Sequence, residues 1–340
     1  VTNNYDAESL TEKVKSYFSE INQCRTVMSQ MGEVQDSIDQ LKQNVNIILS
    51  YINMLSAIKQ KMTFGKESYS CKIEFTWTDT IKGSKYSSYN VFFEIYNAMF
   101  NLATCYYNLG TQTAKIAKEK SAHKDALIYF KNAMYVYDVI KEEANLKIIE
   151  KEMPLDLFPP HLDYCKVLCE LQGQLEIYYI AKETNANNFI LHAQLLNVVS
   201  ELYGKARILC DGPQTKKGTK DELLYFLSNR AEYYKALMCK DLREEIRKDF
   251  DAKGEGYGKM LVYQGLFVGT LLECQKTIKK CGNLVDKDEF ENMLKSEQIE
   301  GQNMKDLNDR IYHHPTPNEE DLVFEKKNMM NMILPEGLYI

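Results

Sequence analysis

The stretch from Val91 to Ile149 limits what this chain can fold into more than any other. In its first half Phe92, Ile95, Met99, Ala103, Tyr106 and Gly110 recur at intervals of three, four and seven, the period of one face of an α-helix. After a polar break at Glu119 to Lys124 the period resumes with Ala126, Phe130, Ala133, Tyr137, Ile140 and Ala144. Two apolar stripes joined by a short polar turn predict an antiparallel helix pair. Small residues at Ala103, Gly110 and Ala114 let its backbones approach closely.

The spacing Ala126-x-x-x-Phe130-x-x-Ala133 is that of the second helix of a tetratricopeptide-type repeat. The first-helix half of that signature is missing, so the pattern predicts a hairpin stacked on neighbours and not a regular repeat array. At 340 residues the chain exceeds the roughly 250 to 300 at which one compact core stops growing. Only seven prolines and sixteen glycines are present, and no linker-like run divides the chain. Elongation by stacked helices is therefore expected.

Other helices read from the same period. Ser9-x-x-Glu12 has the form of a capping box ahead of Leu10, Val14, Phe18, Ile21 and Val27, and a second stripe runs from Ile38 to Leu55. Between Cys71 and Thr78 the period changes to two, which predicts a half-buried strand in need of a partner. Pro159 and Pro160 open a third helix, about Leu162 to Lys182. The next, Phe189 to Tyr203, carries two apolar stripes: Phe189, Ala193, Leu196 and Tyr203, then Leu191, Leu195, Val198 and Leu202. One face suffices to dock a helix, so the second is either covered by further helices or open to a partner. Thr219-x-x-Glu222 opens another helix, and a later one carries Gly265-x-x-x-Gly269. Beyond Tyr312 an extended tail is expected.

The candidate chemistry is thin. Gly254-x-Gly256-x-Gly258 lacks the preceding strand of a phosphate loop and reads as an interhelix turn. The five histidines have no metal-ligand spacing, and Cys165 and Cys169 lie on one apolar helix face. No nucleophile stands with a base. No catalytic residue, metal, cofactor or small-molecule substrate is expected. Nine unpaired cysteines point to a reducing compartment, and the net charge of −6 argues against general nucleic-acid binding. The run Met260 to Leu272 is too short to span a bilayer, which needs about 20 residues.

From Cys71 to Leu322 the order of features resembles the Bro1 domain of the ALIX-type adaptors. The resemblance rests on Phe75-Thr76-Trp77-Thr78-Asp79, Lys82-Gly83-Ser84-Lys85-Tyr86, the hairpin with Ile140-Lys141-Glu142, Gln172-Gly173-Gln174, Ala193-Gln194-Leu195 through Tyr203 to Ala206, and Asn308-Asp309-Arg310-Ile311-Tyr312. It implies a mainly α fold, an elongated curved helical solenoid with a tetratricopeptide-like centre and a small β-sheet near the N-terminus. Residues 1–340 are then one domain: helices over 5–62, a strand region at 70–79, a helical core at 88–283, and a last helix and extended tail at 286–340.

The resemblance implies a non-enzymatic adaptor, cytoplasmic and associated with endosomal or plasma membranes. Its partner is the C-terminal amphipathic helix of an ESCRT-III subunit, in multivesicular body formation and membrane remodelling. Leu191 and Leu195 match the aliphatic positions of the partner groove, Ile177 or Tyr178 an aromatic position lining it, and Lys124 a basic residue nearby; Val198 continues the stripe. An acidic groove residue has no match, since Lys120 or Ser121 stands there. The plain alternative is that Leu191 and Leu195 are core. Lys82, Lys85, Lys115 and Lys118, with Lys120 and Lys124, are candidates for a basic face toward anionic lipid. Tyr86 matches an exposed loop tip, and Tyr312 a tyrosine that relatives use as a phosphorylation site. A rival reading is a general helical scaffold in a signalling, protease or adherence complex.

Overall fold

In the computed structural model, the structure describes residues 7–31, 37–66, 71–116, 120–147, 153–212 and 220–339. Its long helices are α1 (Ala7–Gln30), α2 (Ile38–Lys59), α3 (Val91–Ile116), α4 (Lys120–Lys147), α5 (Pro159–Thr184), α6 (Phe189–Cys210), α7 (Asp221–Lys253), α8 (Tyr257–Ile278) and α9 (Lys287–Leu307). Strands β1 (Phe75–Thr78) and β2 (Lys85–Ser88) form an antiparallel hairpin. The protein is thus mainly helical, with one small sheet toward its N-terminus. The chain divides into two compact units. The first comprises Val1–Ile116, Ile128–Lys166 and Met332–Ile340, and the second Ala117–Leu127 and Val167–Asn331.

In the first unit the predicted hairpin forms as α3 and α4. Ala126, which belongs to the second unit, and Phe130 and Ala133 are all fully buried. Gly110 is required where the two helices touch, because a Cβ there would lie 2.8 Å from the Phe130 ring. Tyr96 donates to Glu143 at 2.8 Å, and the Phe100 ring meets Tyr137 edge-on at 5.7 Å. Ion pairs from Lys141 to Asp163 and from Lys166 to Asp138 hold α4 against α5.

The strand finds its partner downstream, with Phe75 opposite Ser88 and Trp77 opposite Tyr86. The expected strand is shorter at its start, since Cys71 makes only an isolated bridge to Phe64. A buried carboxylate ties the sheet to the helices. Glu94, fully buried in the first turn of α3, accepts from Trp77 Nε1 at 2.6 Å, from Arg25 Nε at 2.8 Å, and from the Tyr51 hydroxyl. Four elements therefore meet on one charge that is both paired and hydrogen-bonded, as burial demands.

In the second unit α6 packs on α7, α7 on α8, and α8 on α9. Asn188 caps α6 by accepting from the Leu191 amide at 3.1 Å. Gly254, with φ +73°, ends α7, so the glycine-rich segment is the interhelix turn that its spacing predicts. Arg243 is 3% exposed and reaches Glu297 at 2.9 Å and Glu244 at 2.6 Å, joining α7 to α9. Helix α1 begins at Ala7, ahead of the expected capping box, whose Ser9 side chain lies outside the described residues, as does Thr219. Beyond Tyr312 the chain is extended, apart from short turns at Glu319–Asp321 and at Glu336 and Gly337.

Candidate functional site

The structure buries most of the predicted groove. Leu195 is 0% exposed, and Val198, Ile177 and Tyr178 are also in the core; only Leu191 stays half-exposed. The reason is the position of α6, which lies between α5 and α7. The Tyr178 ring meets His192 of α6 at 5.9 Å, while Ser200 of α6 bonds the Ala231 carbonyl of α7 at 2.8 Å. A helix with neighbours on two sides needs two apolar stripes, so the second stripe is covered by the fold. In the turn of α5 that carries Ile177 and Tyr178, the exposed aromatic is Tyr179, at 38%, stacked on His123 at 5.5 Å.

The outer face of α6 is not bare either. The tail runs along it: Asn197 Nδ2 donates to the Glu325 carbonyl at 3.0 Å, Gln194 Nε2 to the Glu325 carboxylate at 2.6 Å, and Lys327 N to the Gln194 carbonyl at 3.2 Å. Gln174 of α5, fully buried, donates to the Lys327 carbonyl at 2.8 Å and accepts from the Met329 amide at 3.3 Å. Gly173 beside it gives way to the Met330 side chain, which a Cβ would meet at 2.3 Å. A hollow of about 280 Å³ remains, between Ile190, Met238 and Leu242 on one side and Val323 and Phe324 on the other.

A larger opening lies in the first unit, where no groove was expected. A trough of about 630 Å³ is lined by Val45 and Leu49 of α2, Tyr106 and Leu109 of α3, Ile128, Tyr129 and Asn132 of α4, and Ile333, Leu334 and Glu336 of the tail, with Lys42 and Asn46 also lining it. Its floor is buried, whereas Ile128 and Leu334 are 46% and 54% exposed. The lining is not wholly apolar. Burial, reinforced by Tyr129, Cys105 and Glu336, pushes the Tyr106 hydroxyl up to about 12. Asn132, 8% exposed, leaves its Oδ1 without a hydrogen-bond partner among the described residues. Lys131 beside it is shifted down by burial. Lys124, exposed, stands one helical turn before Ile128. Ile128, out of phase with the Ala126–Phe130–Ala133 stripe within the apolar run 126–130, is the sequence signal for this surface, together with Met332-Ile333-Leu334 in the tail.

The remaining expected residues scatter. Lys82 and Lys85 are exposed on the β1–β2 hairpin, whose turn is held by the Thr80 amide donating to Asp156 at 2.8 Å. Asp156 lies 4.0 Å from His161, which rests against Phe100. Lys115, near the other end of α3, is fifteen residues, roughly 22 Å, beyond Phe100. The lysines therefore do not form one basic face; Lys82 and Lys85 are one spot and Lys115 another. Lys118 and the Lys120 side chain lie outside the described residues. Tyr86 is not an exposed tip, because pairing with Trp77 places it half-buried within β2. Tyr312 is 37% exposed at the end of a π-helical turn, against Tyr257 at 4.5 Å and Phe250 at 5.1 Å. No group of metal-ligating side chains occurs among the described residues. No described helix is long and apolar enough to cross a membrane.

A family model for the BRO1-like domain matches residues 1–339. The chain is a member of the BRO1-like domain family. The Bro1 fold recurs in solved structures. One is the ALIX BRO1–CHMP4C complex, with a TM-score of 0.79 at 16% identity, over 98% of this chain and 88% of that one. A second is the structure described as the basis for endosomal targeting by the Bro1 domain, with a TM-score of 0.74 at 15% identity, over 94% and 83%. A third is ALIX in complex with the SIVmac239 PYKEVTEDL late domain, with a TM-score of 0.75 at 17% identity, over 99% of this chain and 46% of that one. A comparison with curated protein sequences finds no match. The BRO1-like membership accounts for the ordered motifs and for the sheet near the N-terminus.

Proposed function

We propose that this BRO1-like chain is a non-enzymatic adaptor that docks the C-terminal amphipathic helix of a CHMP4-type ESCRT-III subunit. The observation that carries the reading is the likeness of fold, over 98% of the chain, to a Bro1 domain held in a complex with CHMP4C. The trough between α2, α3 and α4 is the docking surface on this reading. It is open, apolar along its floor, and flanked by exposed Ile128 and Leu334. In the cell the adaptor works at endosomal membranes in multivesicular body formation, where Lys82 and Lys85 supply a small basic spot toward anionic lipid.

Magnitudes suit a reversible contact. Three aliphatic anchors contribute roughly 1.5 to 3 kcal/mol each. Ordering the incoming helix costs about 2 to 5 kcal/mol, and loss of free motion costs more. The remainder corresponds to micromolar affinity, which a polymerising coat multiplies by avidity.

Calorimetric titration with the CHMP4C C-terminal helix peptide tests the reading. Micromolar binding that Ile128→Asp abolishes, in a variant that melts as the wild type does, is the expected result. Absence of binding by the wild-type chain refutes the ESCRT-III assignment. Loss of binding in Leu191→Asp but not in Ile128→Asp would return the docking surface to the outer face of α6.

A further inference from the structure

We infer that Asn53 is a positioning residue for the trough, because it seats the part of the tail that forms one of its walls. Ile333, Leu334 and Glu336 line the trough but belong to no helix or strand. Something else must hold them there. Asn53 of α2 brackets Leu338 with both ends of its amide: Nδ2 donates to the Gly337 carbonyl at 2.7 Å, and Oδ1 accepts from the Tyr339 amide at 3.0 Å. Leu338 between them is 5% exposed, and Gly337 takes φ +79°, a turn that a side chain would strain. At the other end the Ile333 amide donates to the Lys131 carbonyl of α4 at 3.4 Å. Between those ends only Pro335 is buried, so the wall hangs from one long hydrogen bond, one buried proline and one side-chain bracket.

The chemistry of the bracket decides its role. A primary amide offers a donor and an acceptor in the spacing of a strand edge, so one side chain replaces the pairing a β-ladder would give an extended segment. It reads backbone atoms only and fixes the tail's register through the buried Leu338. With the bracket lost, Ile333 and Leu334, already 37% and 54% exposed, have too little burial to keep the segment seated. The floor of Val45, Leu49, Tyr106 and Leu109 would then lie on a flat face in place of a trough. The hydrogen bonds of the Asn53 amide go to Gly337 and Tyr339, neither of which lines the trough, so it acts through the tail.

This inference rests on the ESCRT-III reading for its binding arm only, and the experiment separates the two. Amide hydrogen exchange at Ile333 and Tyr339 is followed in the wild type, in Asn53→Leu, which keeps the volume and loses the bracket, and in Asn53→Gln, which keeps both amide ends on a longer arm. The CHMP4C helix peptide is titrated into each. The expected result is exchange at least tenfold faster in Asn53→Leu, peptide affinity at least tenfold weaker, melting temperature within a few degrees of wild type, and partial return of both in Asn53→Gln. Unchanged exchange in Asn53→Leu overturns the inference whatever the peptide does. Faster exchange with unchanged affinity also overturns it, because the wall would then be dispensable. If the wild type ignores the peptide, the ESCRT-III reading falls, and the exchange data alone decide whether Asn53 seats the wall. Should Asn53→Leu fail to fold, a chain ending at Asn331 gives the same comparison on the peptide, with retained affinity overturning the inference.

Discussion

Leu195 and Leu49 are both leucines on long amphipathic helices, and the fold gives them opposite surroundings. Leu195 on α6 is 0% exposed, sealed between neighbours on two sides. Leu49 on α2 is nearly as buried, at 9%, yet it lies on the floor of a trough that opens to solvent. Periodicity distinguishes a covered face from a polar one. It does not tell whether the cover is a helix of the same chain or one from outside, because both demand the same residues at the same spacing. What separates the two is what lies over the face: the second stripe of α6 is covered by a further helix, whereas beside Leu49 the trough is walled by an extended piece of tail.

The largest test of this contrast is Leu195→Asp. Truncating a buried leucine costs about 2 to 5 kcal/mol, and a carboxylate in its place adds the cost of burying an unpaired charge. Against a total stability of about 5 to 15 kcal/mol this should unfold the second unit or leave it barely folded. Circular dichroism during thermal melting checks it; a wild-type melt would mean that Leu195 faces solvent and that the sealed picture of α6 is mistaken.

Much of the fold was legible in the residues, for physical reasons that also explain the misses. Ala126, Phe130 and Ala133 on one stripe and Gly110 opposite them prescribe the α3–α4 contact, because ring and glycine have to meet. Trp77 and Phe75 prescribe a strand, but its partner Lys85-Tyr86-Ser87-Ser88 has little apolar alternation to mark it, and the resemblance alone assigns Tyr86 to a loop tip. The trough was the hardest to see. Its walls come from three helices and a tail segment, and the tail is tied to α2 through backbone atoms, 284 residues from Asn53, that carry no sequence signature. Ile177 and Tyr178, which the resemblance assigns to the groove, are buried while Tyr179 is exposed; α5 is apolar nearly all round and offers no phase that tells them apart.

The closed interior beside Tyr178 can be sharpened by pH. Asp241 of α7 lies close to Tyr178; burial first, with Glu244 adding and Lys182 and Lys240 opposing, raises its pKa to about 7, and one oxygen has no partner among the described residues. The folded state thus holds a proton that the unfolded chain releases near pH 4. Asp241 therefore favours folding most below its unfolded pKa, and that contribution is lost as pH rises from about 4 to about 7, at up to roughly 1.4 kcal/mol per pH unit. His161 in the first unit works the other way, since burial lowers it to about 4 and protonation of the unfolded chain below about 6.5 costs stability there. Nearby Asp156, raised by burial, offsets part of that loss. Melting the wild type and Asp241→Asn at pH 5 and pH 7 isolates the first effect. The variant should lose the fall in stability toward pH 7; an identical pH profile would mean water reaches the α5–α7 interior.

On the open side of the comparison, smaller effects are expected, and they fall on binding. Asn132→Leu removes an unpartnered amide oxygen from the trough lining. Leaving such a group unpaired costs about 1 to 3 kcal/mol, so the variant should be as stable as wild type or more so. Its affinity for an apolar helix face should rise severalfold, whereas a peptide that places an amide donor against Asn132 should bind it more weakly than it binds wild type. Equal affinities for both peptides in both proteins would show that the docked helix does not reach this part of the lining.

The weakest effect concerns the hairpin lysines, which share the exposure of the trough rim but have no shape around them. Lys82 and Lys85 stand together on the β1–β2 turn, and each lysine near an anionic surface contributes about 1 kcal/mol. The double change to Glu should therefore lower partition onto phosphatidylserine vesicles by more than tenfold at low salt and by less at 0.15 M, where the Debye length is about 8 Å. Lys115 is a second spot more than one such length away, so Lys115→Glu should act independently and more weakly. Sedimentation with vesicles of graded phosphatidylserine content reads both, and a cooperative loss on combining all three would place these lysines on one face after all.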